Sequence, residues 1–170
     1  MLNDEVHPSW LGAEMYASRA LDLIRRMRSR PDKPSAVLDQ RRRFDSTRVA
    51  DQPSADRRTF RRHGYVADYA LLKEGQTLEV NFSEPRQLMG FAALIGPRSG
   101  HLTVTSDTQR DMIFYDQHSY YERMMTTVQD LGCVDRISFT LENKIPDIPL
   151  AKGEPNLDSR QMGLFYIFSE

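Results

Sequence analysis

Asp4 and His7 stand three residues apart in the stretch Asn3-Asp4-Glu5-Val6-His7-Pro8-Ser9-Trp10-Leu11-Gly12. Within one turn, a carboxylate at that spacing can accept a hydrogen bond from one imidazole nitrogen and leave the other free as a base. This is the orienting half of a nucleophile–base–acid system. Trp10 follows by three residues, where its ring suits either the wall of an acyl or sugar pocket or an apolar plug at a helix start. A second concentration of chemistry lies at Phe114-Tyr115-Asp116-Gln117-His118-Ser119-Tyr120-Tyr121-Glu122-Arg123. Tyr115, Tyr120 and Tyr121 offer rings that stack on sugar faces, while Asp116, Gln117 and Arg123 can hydrogen-bond hydroxyls. The ordinary reading of the same tyrosines is core or cross-strand packing in a β domain. Asp116 and His118 lack a third ligand, so neither a metal nor a cofactor is expected.

The spacing Asp4-x-x-His7-Pro8-x-x-x-Gly12, continuing through Ala13-Glu14-Met15-Tyr16-Ala17 into a helical pattern, resembles the last conserved block of the SGNH (GDSL-type) hydrolases. The resemblance covers roughly the opening 26 residues of 170. It implies that Asp4 and His7 are the acid and base of a triad whose serine lies near the start of the hydrolase domain. The family's Gly-Asp-Ser nucleophile motif and its Gly-x-Asn-Asp oxyanion block are missing here. Without a nucleophile and oxyanion donors, this chain alone is expected to be inactive. The resemblance therefore implies the C-terminal part of a serine-dependent esterase or acyl hydrolase. Its substrate class is O-acylated carbohydrate, and its partner is the missing N-terminal catalytic part. The alternative, of a different class, is a stand-alone, non-catalytic β-sandwich that binds carbohydrate or serves assembly.

These residues need elements to hold them. Leu11, Met15, Ala20, Leu23, Ile24 and Met27 recur at three- and four-residue spacing and predict a helix. Arg25, Arg26, Arg28 and Arg30 crowd its last turns, and Pro31 stops it. Residues 1–30 thus read as the closing block and last helix left over from an α/β hydrolase domain. Residues 31–62 read as a basic linker, interrupted by Pro31, Pro34 and Pro53 and carrying Arg41–Arg43, Arg57, Arg58, Arg61 and Arg62. A basic run without interleaved aromatics is a solvated connector or a partner for nearby acids, so nucleic-acid binding is not expected.

From Tyr65 the texture changes to short apolar or alternating runs. They are Tyr65–Leu72, Thr77–Phe82, Leu88–Ile95, His101–Thr105, Met112–Tyr115, Met124–Val128, Ile137–Leu141 and Leu164–Phe168. Lys73-Glu74-Gly75, Ser83-Glu84-Pro85 and Gly96-Pro97-Arg98-Ser99-Gly100 separate them. About eight such strands predict a mainly β fold, a jelly-roll-like β-sandwich over residues 63–170. The proline-rich span 143–160 is expected as a long loop at the sandwich rim.

Charge divides the chain. Residues 1–62 hold 14 Lys/Arg against 9 Asp/Glu, and residues 63–170 hold 9 against 15, for a net charge of −1 overall. No global field points to nucleic acid or a membrane surface. No run of 18 apolar residues is present, so no membrane span is expected. Cys133 is the single cysteine, which excludes an intrachain disulfide and tips the expected localisation toward the cytoplasm. Its neighbours suggest a small buried apolar residue.

Overall fold

A computed structural model describes residues 45–62 and 64–170. Asp4, His7, Trp10, the expected helix and positions 31–44 of the expected linker lie outside the described residues.

The described chain is mainly β. Its strands are β1 (Asp45–Arg48), β2 (Asp56–Arg62), β3 (Tyr65–Lys73), β4 (Thr77–Ile95), β5 (His101–Thr105), β6 (Gln109–Ile113), β7 (Arg123–Thr126), β8 (Gly132–Leu141) and β9 (Gln161–Ser169). A single 3-10 turn, Val49–Asp51, joins β1 to the approach of β2. The strands form one antiparallel sheet in the order β2-β3-β9-β4-β8-β5-β6, with β1 also on β9 and β7 also on β4.

The long strand β4 organises the rest. Its first half pairs with β8, as in Leu78 opposite Phe139 and Val80 opposite Ile137. Its second half pairs with β9 on one side and β7 on the other. Two four-strand runs, β3-β9-β4-β7 and β4-β8-β5-β6, therefore share β4. The sheet curls on itself, because β3 approaches β8 although β9 and β4 stand between them in the order. Laid flat, those two strands would be about 14 Å apart. The curl encloses one apolar cluster that includes Leu72, Val80, Phe91, Leu102, Val104, Phe139 and Leu164. Phe91 meets Phe139 edge-on, with ring centroids 5.1 Å apart. Truncating a buried ring such as Phe139 to alanine costs about 3–5 kcal/mol.

Two boundaries differ from the sequence reading. Ser83-Glu84-Pro85, expected as a break between two strands, lies within β4. The ladder steps irregularly there, from Asn81 opposite Arg136 to Arg86 opposite Val134. Such a bulge accommodates Pro85, which has no N–H to contribute. The sheet also takes in residues 45–62, assigned above to the basic linker. Arg57 and Arg58 are not a free basic arm: Arg57 pairs with Asp68 and Asp51, and Arg58 with Asp56. These exposed pairs add little stability, but arginine on the edge strand β2 discourages pairing with foreign strands. Cys133 is exposed on β8 rather than buried.

One glycine is fixed by close approach. Gly90 has φ +136°, and a Cβ there would sit 2.1 Å from the carbonyl oxygen of Thr127. The chain leaving β7 thus lies directly against β4, held by bonds such as Thr127 N–H to the Phe91 carbonyl at 2.9 Å.

Candidate ligand groove

The tyrosine-rich stretch splits into a buried and a half-buried part. Tyr115 is only 4% exposed, so its ring offers no face to a ligand. Its hydroxyl has no hydrogen-bond partner among the described residues. Tyr120 and Tyr121 are half-buried and contact each other, with centroids 5.0 Å apart. Tyr121 already faces two guanidiniums, Arg62 at 5.1 Å and Arg123 at 5.4 Å from its ring centroid. Lys152 lies 5.8 Å from the Tyr120 ring. Arg123 pairs with Asp116, whose carboxylate also accepts the His118 N–H at 2.8 Å. Burial pushes the Asp116 pKa up, but the Arg123 and His118 hydrogen bonds prevail and hold it below the usual carboxylate value. The ion pair and the Asp116 hydrogen bonds tie the cluster together, although Arg123 Nη1 and the Tyr115 hydroxyl are buried without a hydrogen-bond partner among the described residues. The cluster orders the chain before β7 and leaves few groups for a ligand.

A concave site lies elsewhere on the sheet. It measures about 240 Å³ and is lined by Tyr69 from β3, Leu94 from β4, Arg98 from the turn after β4, and Glu122 just before β7. Asn156 from the long loop and Gln161 and Gly163 from β9 complete it. Antiparallel pairing puts Gly163 opposite Leu94, which makes the floor. A Cβ on Gly163 would lie 2.5 Å from the Tyr69 ring and 2.9 Å from the Leu94 side chain. Glycine is therefore what lets the ring settle over β9. The ring is held from its other side by Phe165, edge-on with centroids 5.6 Å apart. Burial, and next the Glu122 carboxylate, push the Tyr69 hydroxyl pKa up, so it remains a protonated donor.

The walls are tied by Arg160. Its side chain is buried, and its guanidinium donates to the carbonyls of Pro97 and Ser99 (3.4 Å each), Asp158 (3.0 Å from Nε) and Asn156. Its backbone N–H donates to the Glu74 carboxylate at 2.9 Å. Burial lowers the Arg160 pKa below the usual guanidinium value. Four carbonyls around one buried cation pin the turn after β4 to the long loop, and both carry groove residues.

The polar groups lining this groove contrast with those near Tyr121. Among the described residues, no hydrogen bond or ion pair engages the side chains of Arg98, Glu122 or Gln161. Glu122 belongs to the stretch singled out in the sequence. The others come from β3, a turn and β9, and only the Gly-Pro-Arg-Ser-Gly turn and the proline-rich loop carried a signal. Among the described residues, no group of three His, Cys, Asp or Glu could hold a metal ion.

No family model matches the chain, and no curated protein matches it. Among solved structures it is similar to the catalytic unit of a thermostable GH87 alpha-1,3-glucanase from Streptomyces thermodiastaticus, at 12% identity and a TM-score of 0.43. The alignment covers 75% of this chain and 26% of that one, so the chain spans about a quarter of that structure's length. A likeness of this size leaves function to be judged from the groove itself.

Proposed function

We propose that the β domain is a non-catalytic glycan-binding module of jelly-roll architecture, with the groove beside Tyr69 as its site. The two four-strand runs sharing β4 fit the paired sheets of a jelly roll, with β4 serving both. One observation carries the functional reading: the Tyr69 ring, fixed over Gly163, borders a groove that also holds the otherwise unengaged side chains of Arg98, Glu122 and Gln161. A mainly polar groove with an aromatic ring at its edge and several convergent donors and acceptors suits a polyhydroxylated ring. Catalysis is not part of this proposal. Glycoside hydrolysis normally uses two carboxylates, and among the described residues Glu122 is the only one lining the groove. Ser99, the only hydroxyl of its kind there, is buried, and its Oγ accepts the Gly96 N–H at 2.7 Å.

The test is calorimetric titration of the 170-residue protein with a panel of oligosaccharides, repeated on Gln161→Ala and Tyr120→Ala. Binding weakened by the first substitution and untouched by the second is expected. A panel with no binder, or a loss confined to Tyr120→Ala, would sink the assignment to this groove.

For Asp4 and His7 we propose the acid and base roles of a serine-dependent acyl hydrolase acting on O-acylated carbohydrate. The spacing of that block and its Pro8 and Gly12 support the reading. This chain by itself is expected not to turn over p-nitrophenyl acetate. Turnover abolished by His7→Ala would show instead that the chain carries its own nucleophile.

A further inference from the structure

We propose that the groove recognises an acidic sugar, a uronic acid whose carboxylate sits at Arg98 while its hydroxyls face Gln161 and Glu122; this rests on the glycan reading above. The groove lining holds two charged residues, Arg98 and Glu122, and they form no ion pair with each other. Arg98 is half-buried, and no carboxylate among the described residues bonds its guanidinium. A half-buried guanidinium with five unengaged N–H donors is matched best by a planar carboxylate, which it can grip at both oxygens.

The surroundings add to this. Arg160, buried beneath the same wall, brings a second positive charge whose hydrogen bonds go to neutral carbonyls. Glu74 turns its carboxylate to the Arg160 backbone N–H, and Asp158 contributes its carbonyl. Neither acid forms an ion pair with Arg160 or Arg98. Burial first lowers the Arg160 pKa, and the Arg98 charge acts in the same sense, while Tyr115, Glu74 and Asp158 act against it. A ligand carboxylate placed between Arg98 and solvent would give its guanidinium the charged partner that no described residue supplies. A neutral sugar would not.

The experiment uses the full chain and three ligands of equal length: a uronic-acid oligosaccharide, its methyl ester, and an oligosaccharide whose only charge is a sulfate ester. Methyl esterification removes the charge and keeps the ring shape. The acid is expected to bind about ten-fold more tightly than the ester, as a charge-assisted contact is stronger than a neutral one. In Arg98→Gln the two should bind equally, at the level of the ester on the unaltered protein. Arg98→Lys should restore part of the difference. Thermal melting of Arg98→Gln should match the unaltered protein, since no hydrogen bond or ion pair among the described residues engages the Arg98 side chain and its carbonyl bond to the Gln161 N–H is kept. Equal binding of acid and ester to the unaltered protein, with both bound, overturns the acidic-sugar inference and keeps the glycan reading. A preference that survives Arg98→Gln, or tighter binding of the sulfate than of the uronate, also overturns it. Binding of none of the three overturns both readings together.

Discussion

The tyrosine cluster around Asp116 and the groove beside Tyr69 are built from the same kinds of residue, yet they do opposite things with them. Near Tyr121 each cation has a use inside the fold: Arg123 on Asp116, Arg62 on the Glu122 carbonyl and the Tyr121 ring. In the groove, Arg98 and Gln161 have none among the described residues, while the buried Arg160 behind them holds the walls. The lesson is that density of polar and aromatic letters marks a place where charge is needed. Only the partners tell whether the need is structural or functional.

The largest expected effect separates the two regions at their arginines. Arg160→Met leaves four carbonyls without their buried donor, and the strain of one buried unpaired group is about 1–3 kcal/mol. A stability loss of about 3 kcal/mol or more by chemical denaturation is expected, together with loss of glycan binding as the walls separate. Arg123→Met, in the other cluster, removes an ion pair in which the Arg123 side chain is 20% and the Asp116 side chain 49% exposed. Its cost should stay within about 1 kcal/mol, with binding intact. Equal costs at the two sites would erase the contrast.

Next in size is Gly163→Ala. The added methyl would press on the Tyr69 ring and Leu94, an overpacking that costs about 1–3 kcal/mol. The same shift of the ring should weaken ligand binding, read by calorimetry on the still-folded variant.

How far the letters reach is clearest strand by strand. Residues 101–105 alternate between turns and form β5 over the same span, and the run from Tyr65 matches β3 to within a residue. The inward residues of these strands had to be apolar to fill the core, so their pattern is visible. β2 is different. Arg57, Arg58, Arg61 and Arg62 disguise an edge strand whose main apolar anchor is Phe60, against Phe165 at 6.1 Å. Edge position removes the demand for burial on both faces, and with it the signal. The groove was hidden for a topological reason. Tyr69, Arg98, Glu122 and Gln161 are far apart in the chain and meet because β9 inserts between β3 and β4.

Acid titration offers a gentler separation. The Asp116 pKa is held below its unfolded value by Arg123 and the His118 N–H, against burial. The native state therefore prefers the ionised form, and this stability is present above the unfolded carboxylate pKa of about 3.9. It is lost as pH falls through the lower, folded value. Asp68, bonded by Thr59 and Arg57, is depressed in the same sense and acts in the same window. Only a difference isolates the cluster: Asp116→Asn should flatten part of the stability-versus-pH slope in that range. Groove variants such as Gln161→Ala should leave the slope unchanged.

Gln161→Ala is the smallest change expected in stability and the sharpest statement about the groove. Its backbone N–H is already committed, donating to the Arg98 carbonyl at 2.8 Å and so keeping β9 attached to the turn. The side-chain amide, by contrast, has no partner among the described residues. Removing it takes away no native hydrogen bond, so stability should move by no more than about 0.5 kcal/mol. A ligand hydroxyl bonded to that amide loses about 1 kcal/mol, or a several-fold drop in affinity. Unchanged melting with weakened binding is the signature of a side chain kept for a partner. Lowered stability with unchanged binding would make Gln161 one more structural residue and move the glycan site away from this face.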